Sequence, residues 1–438
     1  MQLIRLLKYD LAREAATWAA DGVISTSQAE TICSRYGVDY QNLSRRSLGY
    51  HVLVGLGYLF IGLAVITLLG ANWDQIPRAV RMAGLLLLTF GVNLFGLHKF
   101  RIGNASAAVG WLFLGGLFYG ASIMLIAQIY HIDEHYPNGI FWWAMGVLPI
   151  ALLTESILLM ILAVGLGFIW FFVEASLDFY PAFFPLLLAA TAWFIIGRGL
   201  QSKILFIALM AGFVIWAEYT LAWFMGDGAG FHPGSENAAL GIGLFLLFHA
   251  VAAWLSNRKE HVAADYGALL GLWVLRFAII TLFVLSFRQP WRVMITAEWI
   301  MPGLILALSV CLSTAALWLA YRSRASTVST TAFVFLFLGG LAATMAVENR
   351  LYDVVFQIMG NIVLVCTGIW LIVFGIRDNI SHYFYVGVMA VLGTGLLRYI
   401  DLVGDYVGAA ILFAGLAAVL LFAAKFWKSH NAGVGGVS

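Results

Sequence analysis

Charged side chains are scarce in this sequence. Only 11% of its 438 residues are Asp, Glu, Lys or Arg, whereas 62% are apolar. A soluble domain typically carries about 25% charged residues, so a water-soluble globule of this size could not cover its surface with so few. The high apolar content also excludes intrinsic disorder. The composition therefore indicates an all-α, polytopic helical membrane protein.

Cysteines, basic tracts and catalytic motifs are few or absent. Cys33, Cys311 and Cys366 form no C-x-x-C or Cys/His spacing, which argues against a disulfide framework and against a metal site. The net charge is only +2 and no basic tract occurs, so we expect no nucleic-acid partner. The chain has no G-x-S-x-G elbow, no Walker loop and no H-E-x-x-H sequence. We therefore expect no cofactor, and the sequence does not favour an enzyme.

Residues 1–47 have the pattern of a small helical head. They contain no long apolar core of the kind found in signal peptides, so we expect no cleavage. Asp21-Gly22 should end a first helix, and the capping-box pair Ser27 and Glu30 should open a second that runs through Tyr36. The prediction is a cytoplasmic helical hairpin whose first helix has an apolar face of Leu3, Leu7, Leu11, Ala15 and Trp18.

Apolar runs alternate with short polar breaks through residues 48–428, and residues 429–438 form a short flexible tail. A membrane span needs about 20 apolar residues. The segment 140–173 is short in each half and contains Pro149, so it either crosses twice or forms a re-entrant hairpin. The fourteen predicted spans lie near 50–71, 80–97, 107–130, 140–153, 157–173, 182–197, 204–224, 239–256, 267–287, 300–321, 328–347, 355–375, 383–397 and 406–426.

Loop charge predicts the orientation of this bundle. Lys and Arg gather on the cytoplasmic side of membrane proteins. With the N-terminus inside, 17 of the 24 basic residues lie on inside segments and 6 on outside ends, and one, Arg276, lies within a span. This bias places both termini in the cytoplasm, and it favours two crossings over 140–173, because the loops on both sides of that segment lack Lys and Arg.

Three stretches resemble a known family. They are WAADGVISTSQAETICSRY at Trp18–Tyr36, GANWDQIPRAVRMAG at Gly70–Gly84 and GASIMLIAQIYHI at Gly120–Ile132. Together they resemble the bacterial membrane proteins grouped as domain of unknown function 2157, over roughly the first third of the chain. The later phrases ENRLYD and RYIDLVGDY are similar to related multi-span proteins. The resemblance implies a bacterial cytoplasmic, or inner, membrane and supplies no activity or ligand.

Three ionisable residues fall within consecutive predicted spans. An ionisable side chain deep in a bilayer is costly, so each one suggests a functional site. Glu218 lies in the outer half of its span, and His249 and Arg276 lie near the middle of theirs. We predict a Glu218–Arg276 pair with His249 nearby, which would respond to protons or anions. The alternative is a purely structural pair that holds helices together.

A second group of polar residues lies at the predicted outer ends of the spans. Its arginines are suited to phosphate, carboxylate or a lipid headgroup. Pairing with a neighbour three or four residues away on one helix is the alternative. The spacing of His131 and His135 also suggests a metal site, but a solvated loop before Pro137 is the simpler interpretation. The predicted outer contacts are Asp74, Arg78, His131, Arg350, Asp353, Arg398 and Asp401.

Three functions remain open from the sequence. The first is a transporter-like or lipid-handling protein that binds membrane lipids, a small anionic solute or a lipid-linked ligand between helices from the outer side. The second is a scaffold or sensor whose head, residues 1–47, docks a cytoplasmic protein. The third is a membrane-embedded enzyme acting on a lipid-linked substrate, which requires Asp353, Asp401 and His131 to converge.

Overall fold

The described part of the chain is built from α-helices. The computed structural model describes residues 8–36, 38, 40, 56–57, 60, 77–131, 135–226, 228, 231–324, 326–347, 352–377 and 380–401, and no strand occurs among them. The helices are α1 Lys8–Ala20, α2 Thr26–Arg35, α3 Arg78–Arg101, α4 Ala105–Tyr130, α5 Pro137–Thr154, α6 Ile157–Ser176, α7 Phe184–Ala192, α8 Lys203–Met225, α9 Ser235–Ser256, α10 His261–Leu285, α11 Arg288–Ile295, α12 Pro302–Ser323, α13 Thr327–Ala346, α14 Asp353–Arg377 and α15 Ser381–Asp401. One π-helical turn, Trp193–Gly197, continues α7.

Helices α1 and α2 pack against each other through a small core that includes Ala12, Cys33 and Val38. The capping box that opens α2 is Ser25 and Gln28, two residues earlier than the predicted pair: each side chain bonds the backbone of the other. The buried face of α1 also differs from the predicted one. Ala15 is fully buried, whereas Trp18 is exposed, because the small side chains lie where the two helices come close.

Ten of the described helices are long and apolar enough to cross a membrane: α3, α4, α5, α6, α8, α9, α10, α12, α13 and α14. They correspond to ten of the fourteen predicted spans. The predicted span at 182–197 corresponds to a shorter helix. The predicted span at 383–397 corresponds to α15, which is not among the ten. The spans predicted near 50–71 and 406–426 lie outside the described helices.

The segment 140–173 forms two separate helices, α5 and α6, and each is long enough to cross. Pro149 lies inside α5 without ending it. The break between the two helices comes at Glu155, whose backbone is left-handed with φ 51°, and Ser156 then caps α6 by accepting a hydrogen bond from the Leu159 amide. The two-crossing interpretation fits this pair better than one broken helix.

The chain divides into two compact units, with the boundary between Pro233 and Gly234. The N-terminal unit contains α1 to α8. Its spans pack mainly as consecutive pairs, α3 with α4 and α5 with α6. This boundary falls inside the region that the sequence presented as one continuous bundle.

The C-terminal unit contains α9 to α15. Helix α9 packs against α10 and α12, and α14 packs against α15 and α10. The eight-residue α11 is amphipathic and packs against α14. The end of α10 approaches α14 so closely that a Cβ on Gly360 would lie 2.5 Å from the Leu285 carbonyl oxygen. Glycine at 360 therefore permits the contact that brings α11 onto α14.

Candidate functional site

A large cavity lies within the C-terminal unit. Its volume is about 760 Å³, which is within the range of small-molecule sites. Helices α9, α10, α13 and α14 supply most of its walls, and most of its lining side chains are apolar. Asn257 and Ser326 lie at one end and Trp291 and Met294 at the other, so the cavity follows the full length of the surrounding spans.

The cavity has an opening on its side, between α13 and α14. These two helices scarcely touch each other. Apolar lining residues on both helices are strongly exposed, among them Phe335 at 81%, Met359 at 54% and Trp370 at 46%. In a bilayer an opening of this kind faces the acyl chains rather than water. The cavity therefore has a lateral entrance suited to an apolar ligand.

Two arginines lie next to one end of the cavity, called here the arginine end. Arg288 and Arg292, one turn apart on α11, both direct Nε to the same oxygen of Asp353, at 2.8 and 3.2 Å. The Asp353 side chain is 1% exposed, whereas the arginine side chains are 47% and 44% exposed. The hydrogen bond to Asp353 raises the pKa of Arg288 above its ordinary value. This cluster carries one net positive charge and presents it outward.

Trp291 connects the arginine pair to the cavity. Its indole nitrogen donates to the Leu285 carbonyl at 2.6 Å, and its ring stacks on Phe356 with centroids 5.2 Å apart. Both aromatic residues line the cavity. Phe356 is one turn along α14 from Asp353. The charged cluster is therefore held within about one helical turn of the apolar lining.

His249 is the ionisable residue of the predicted polar cluster that lines this cavity. Its Nε2 lies 3.4 Å from the Ser329 hydroxyl, and its ring meets Phe333 edge-on. The Ser329 hydroxyl donates to the Ser326 carbonyl at 3.0 Å, so Ser329 accepts from His249 rather than donating to it. The Nδ1 atom of neutral His249 is then an acceptor.

Arg276 and Glu218 have different surroundings. Arg276 is exposed on α10 and lies over the Trp273 ring at 5.4 Å. Glu218 is on α8 in the N-terminal unit. The predicted Glu218–Arg276 pair thus joins residues of two units, and it stays a prediction.

The structure describes only some of the predicted outer contacts. Arg78 begins α3 and is exposed, and His131 ends α4 in a left-handed conformation with φ 54°. Asp353 belongs to the arginine cluster. Asp74 and Arg350 lie outside the described residues, as do the side chains of Arg398 and Asp401 at the end of α15.

The N-terminal unit contains a buried polar cluster that the sequence did not indicate. The predicted span ends at residue 173, but Glu174 lies in the last turn of α6 and is 5% exposed. It accepts from Trp170 at 2.9 Å, and its other oxygen lies 2.7 Å from His135 Nε2. His135, in the loop before Pro137, therefore binds a buried carboxylate. The sequence signal for this contact is Trp170, which precedes Glu174 by four residues and therefore lies on the same helix face.

A second cavity, of about 670 Å³, lies beside this cluster. Helices α3, α4 and α5 line it, and its polar side chains include Thr89 and Asn93 on α3, Tyr119 and Ser122 on α4, and His135 at one end. Thr89 and Ser122 bond each other at 2.8 Å. In the parts of the chain that are described, no three His, Cys, Asp or Glu side chains are grouped closely enough to hold a metal ion.

Comparison with known proteins gives one match. No curated protein and no solved structure matches the chain. The three stretches Trp18–Tyr36, Gly70–Gly84 and Gly120–Ile132 all fall within the matching segment. Residues 16–160, about a third of the chain, match the family described as predicted membrane protein (DUF2157), which confirms the resemblance and makes this a membrane protein of many apolar helices.

Proposed function

We propose that this protein is a lipid-handling protein of the bacterial inner membrane that holds a phospholipid in the C-terminal cavity. An acyl chain would lie between α9, α10, α13 and α14, and the phosphate would bind at the arginine end. With the N-terminus in the cytoplasm, as loop charge predicts, this end faces outward. The single observation that carries the proposal is a span-long apolar cavity next to a pair of exposed arginines.

The length and lining of the cavity suit a lipid chain. Helix α10 has 25 residues, so at about 1.5 Å per residue it covers roughly 37 Å, slightly more than the hydrocarbon core of a bilayer. The side opening between α13 and α14 lets a chain enter without crossing water. The acyl chain of a lipid in this position exchanges one apolar environment for another, so it contributes shape complementarity. The headgroup then contributes most of the site's preference for one lipid over another.

The arginine cluster supplies a phosphate site. Each guanidinium binds Asp353 through Nε. Its terminal nitrogens are further donors that a phosphate would contact. Guanidinium groups bind phosphate oxygens in a two-point geometry. Since one carboxylate faces two arginines, the cluster retains a positive charge. Helix α11, which carries this charge, is short and amphipathic and has Trp291 on its inward side, as interfacial helices do.

Mass spectrometry of lipids that copurify with the protein tests the cavity. Gly340 lines the cavity, and a Cβ there would meet no atom within 4 Å, so Gly340→Leu adds a side chain at the cavity wall with no clash at its Cβ. Gly303 on α12 has the same open surroundings but does not line the cavity, so Gly303→Leu is the matched control. We expect Gly340→Leu to lose tightly bound phospholipid and Gly303→Leu to retain it. Equal lipid content in the two variants would contradict the proposal.

A second pair of variants tests the headgroup site. Arg292→Gln removes one positive charge while Arg288 still neutralises Asp353. A basic residue near an anionic membrane surface contributes enough binding free energy to predict about a fivefold loss of bound anionic lipid. The control is Arg322→Gln, which removes the same charge outside the arginine cluster. Arg322 is on α12 and lies over the Trp318 ring at 4.9 Å. If a soluble anion such as inorganic phosphate binds wild-type protein and no lipid does, the site serves an anionic solute instead.

A further inference from the structure

Polar side chains occur at several depths along the otherwise apolar C-terminal cavity. Thr281 is four residues from the end of α10, about 6 Å below the arginine end. Thr367 on α14 and His249 on α9 are each fourteen residues from the outer ends of their helices, about 21 Å deep. Ser329 and Asn257 follow at the other end. The polar groups thus extend from one end of the cavity to the other.

Phospholipids cross a bare bilayer slowly because the headgroup must leave water for hydrocarbon. A charged or strongly polar group in that environment costs several kcal/mol or more unless it gains hydrogen-bond partners. Partners at successive depths divide this single barrier into smaller ones. The side opening between α13 and α14 lets the acyl chains stay in the bilayer while the headgroup moves along the cavity.

We infer that the C-terminal cavity is a path along which phospholipid headgroups move between the two leaflets. The inference rests on the proposed lipid binding and adds transbilayer movement, which binding alone does not require. His249 is the central group on this path. Its Nε2, which lies 3.4 Å from the Ser329 hydroxyl, is a hydrogen-bond donor, and its Nδ1 is an acceptor. The same ring can therefore donate to the phosphate of a headgroup and accept from the headgroup's own donors.

Proteoliposomes that contain a fluorescently tailed phosphatidylglycerol test this movement. A membrane-impermeant reductant bleaches only the outer leaflet, about half of the signal, unless the labelled lipid moves outward. We expect wild-type protein to allow nearly complete bleaching. Both His249→Leu and Thr367→Val remove polar groups from the path at similar side-chain volume, and we expect each to slow the movement at least tenfold. Thr314→Val on α12 is the matched control, since Thr314 is exposed and bonds the Cys311 carbonyl of its own helix.

The outcomes separate the two claims. Wild-type protein that copurifies with phospholipid but bleaches only half of the signal overturns the movement and leaves the binding site. Wild-type protein without bound phospholipid overturns the proposed function itself. Movement that is equally fast in His249→Leu, Thr367→Val and Thr314→Val places the path outside this cavity and overturns the inference. Elution and melting profiles of each variant verify that it is folded.

Discussion

Gly360→Ala tests the link between packing and the arginine end. The new Cβ would lie 2.5 Å from the Leu285 carbonyl oxygen, so α10 and α14 must separate by roughly 1 Å to restore ordinary contact. Leu285 also accepts from the Trp291 indole, so the same movement weakens the contact that holds α11 on α14. The substitution therefore acts on both the stability and the phosphate site.

The magnitude follows from three contributions. Overpacking a tight contact costs about 1–3 kcal/mol. Losing the Trp291 hydrogen bond costs about 0.5–1.5 kcal/mol. Alanine recovers up to about 1 kcal/mol of helix propensity. The net loss of roughly 0.5–3.5 kcal/mol corresponds to a fall in Tm on the order of 5 °C for a unit of this size.

The assay is thermal unfolding in detergent combined with the content of copurified phospholipid. Gly303→Ala is the control, because a Cβ at Gly303 on α12 meets nothing within 4 Å and the residue does not line the cavity. We expect Gly360→Ala to lower both the Tm and the lipid content, and Gly303→Ala to leave the lipid content unchanged and the Tm unchanged or slightly raised. If both variants keep the wild-type Tm and lipid content, the close approach at Gly360 does not position the site.

Two further predictions concern the N-terminal unit. Burial raises the pKa of the Cys33 thiol, so the folded head keeps its proton at a pH where the unfolded chain has lost it. The contribution of the buried thiol to the stability of the head is complete below about pH 8.5 and declines above that value. In a variant that lacks the other cysteines, alkylation of Cys33 should become fast only as the head unfolds. Alkylation of the native protein as fast as of a denatured sample would contradict the buried position. Glu174→Gln weakens the contacts with His135 and Trp170 and should cost about 1.5–3 kcal/mol, measured as a lower Tm, whereas Glu155→Gln, in an exposed ion pair, should cost less than about 1 kcal/mol. Equal effects of the two substitutions would show that burial of Glu174 does not matter.

Hydropathy predicted most of the spans because a bilayer imposes one length and one composition on every crossing helix. Helix α11 was not predicted, since eight residues with two arginines, RQPWRVMI, resemble a polar loop when read along the sequence. Its amphipathic character becomes visible only when Trp291 packs on Phe356 from α14. The predicted end of the span at 157–173 falls about one turn short of the end of α6, because hydropathy assigns an acid directly after an apolar run, here Glu174, to a loop.

The candidate site could be predicted only in part. The argument from the cost of buried charge identified His249, which lines the cavity. The same argument grouped His249 with Glu218 and Arg276. Glu218 belongs to the other unit, and this grouping stays a prediction. The pairing of Asp353 with Arg288 and Arg292 depends on a contact between residues more than 60 positions apart. Neighbour spacing along one helix cannot reveal such a contact, because it records only pairs three or four residues apart.

A cryo-EM map of the protein in nanodiscs of its native lipids tests the central claim most directly. The account predicts elongated density between α9, α10, α13 and α14, with a phosphate-sized feature within hydrogen-bonding distance of Arg288 and Arg292. A closed cavity, or a protein helix in place of the lipid, would contradict it.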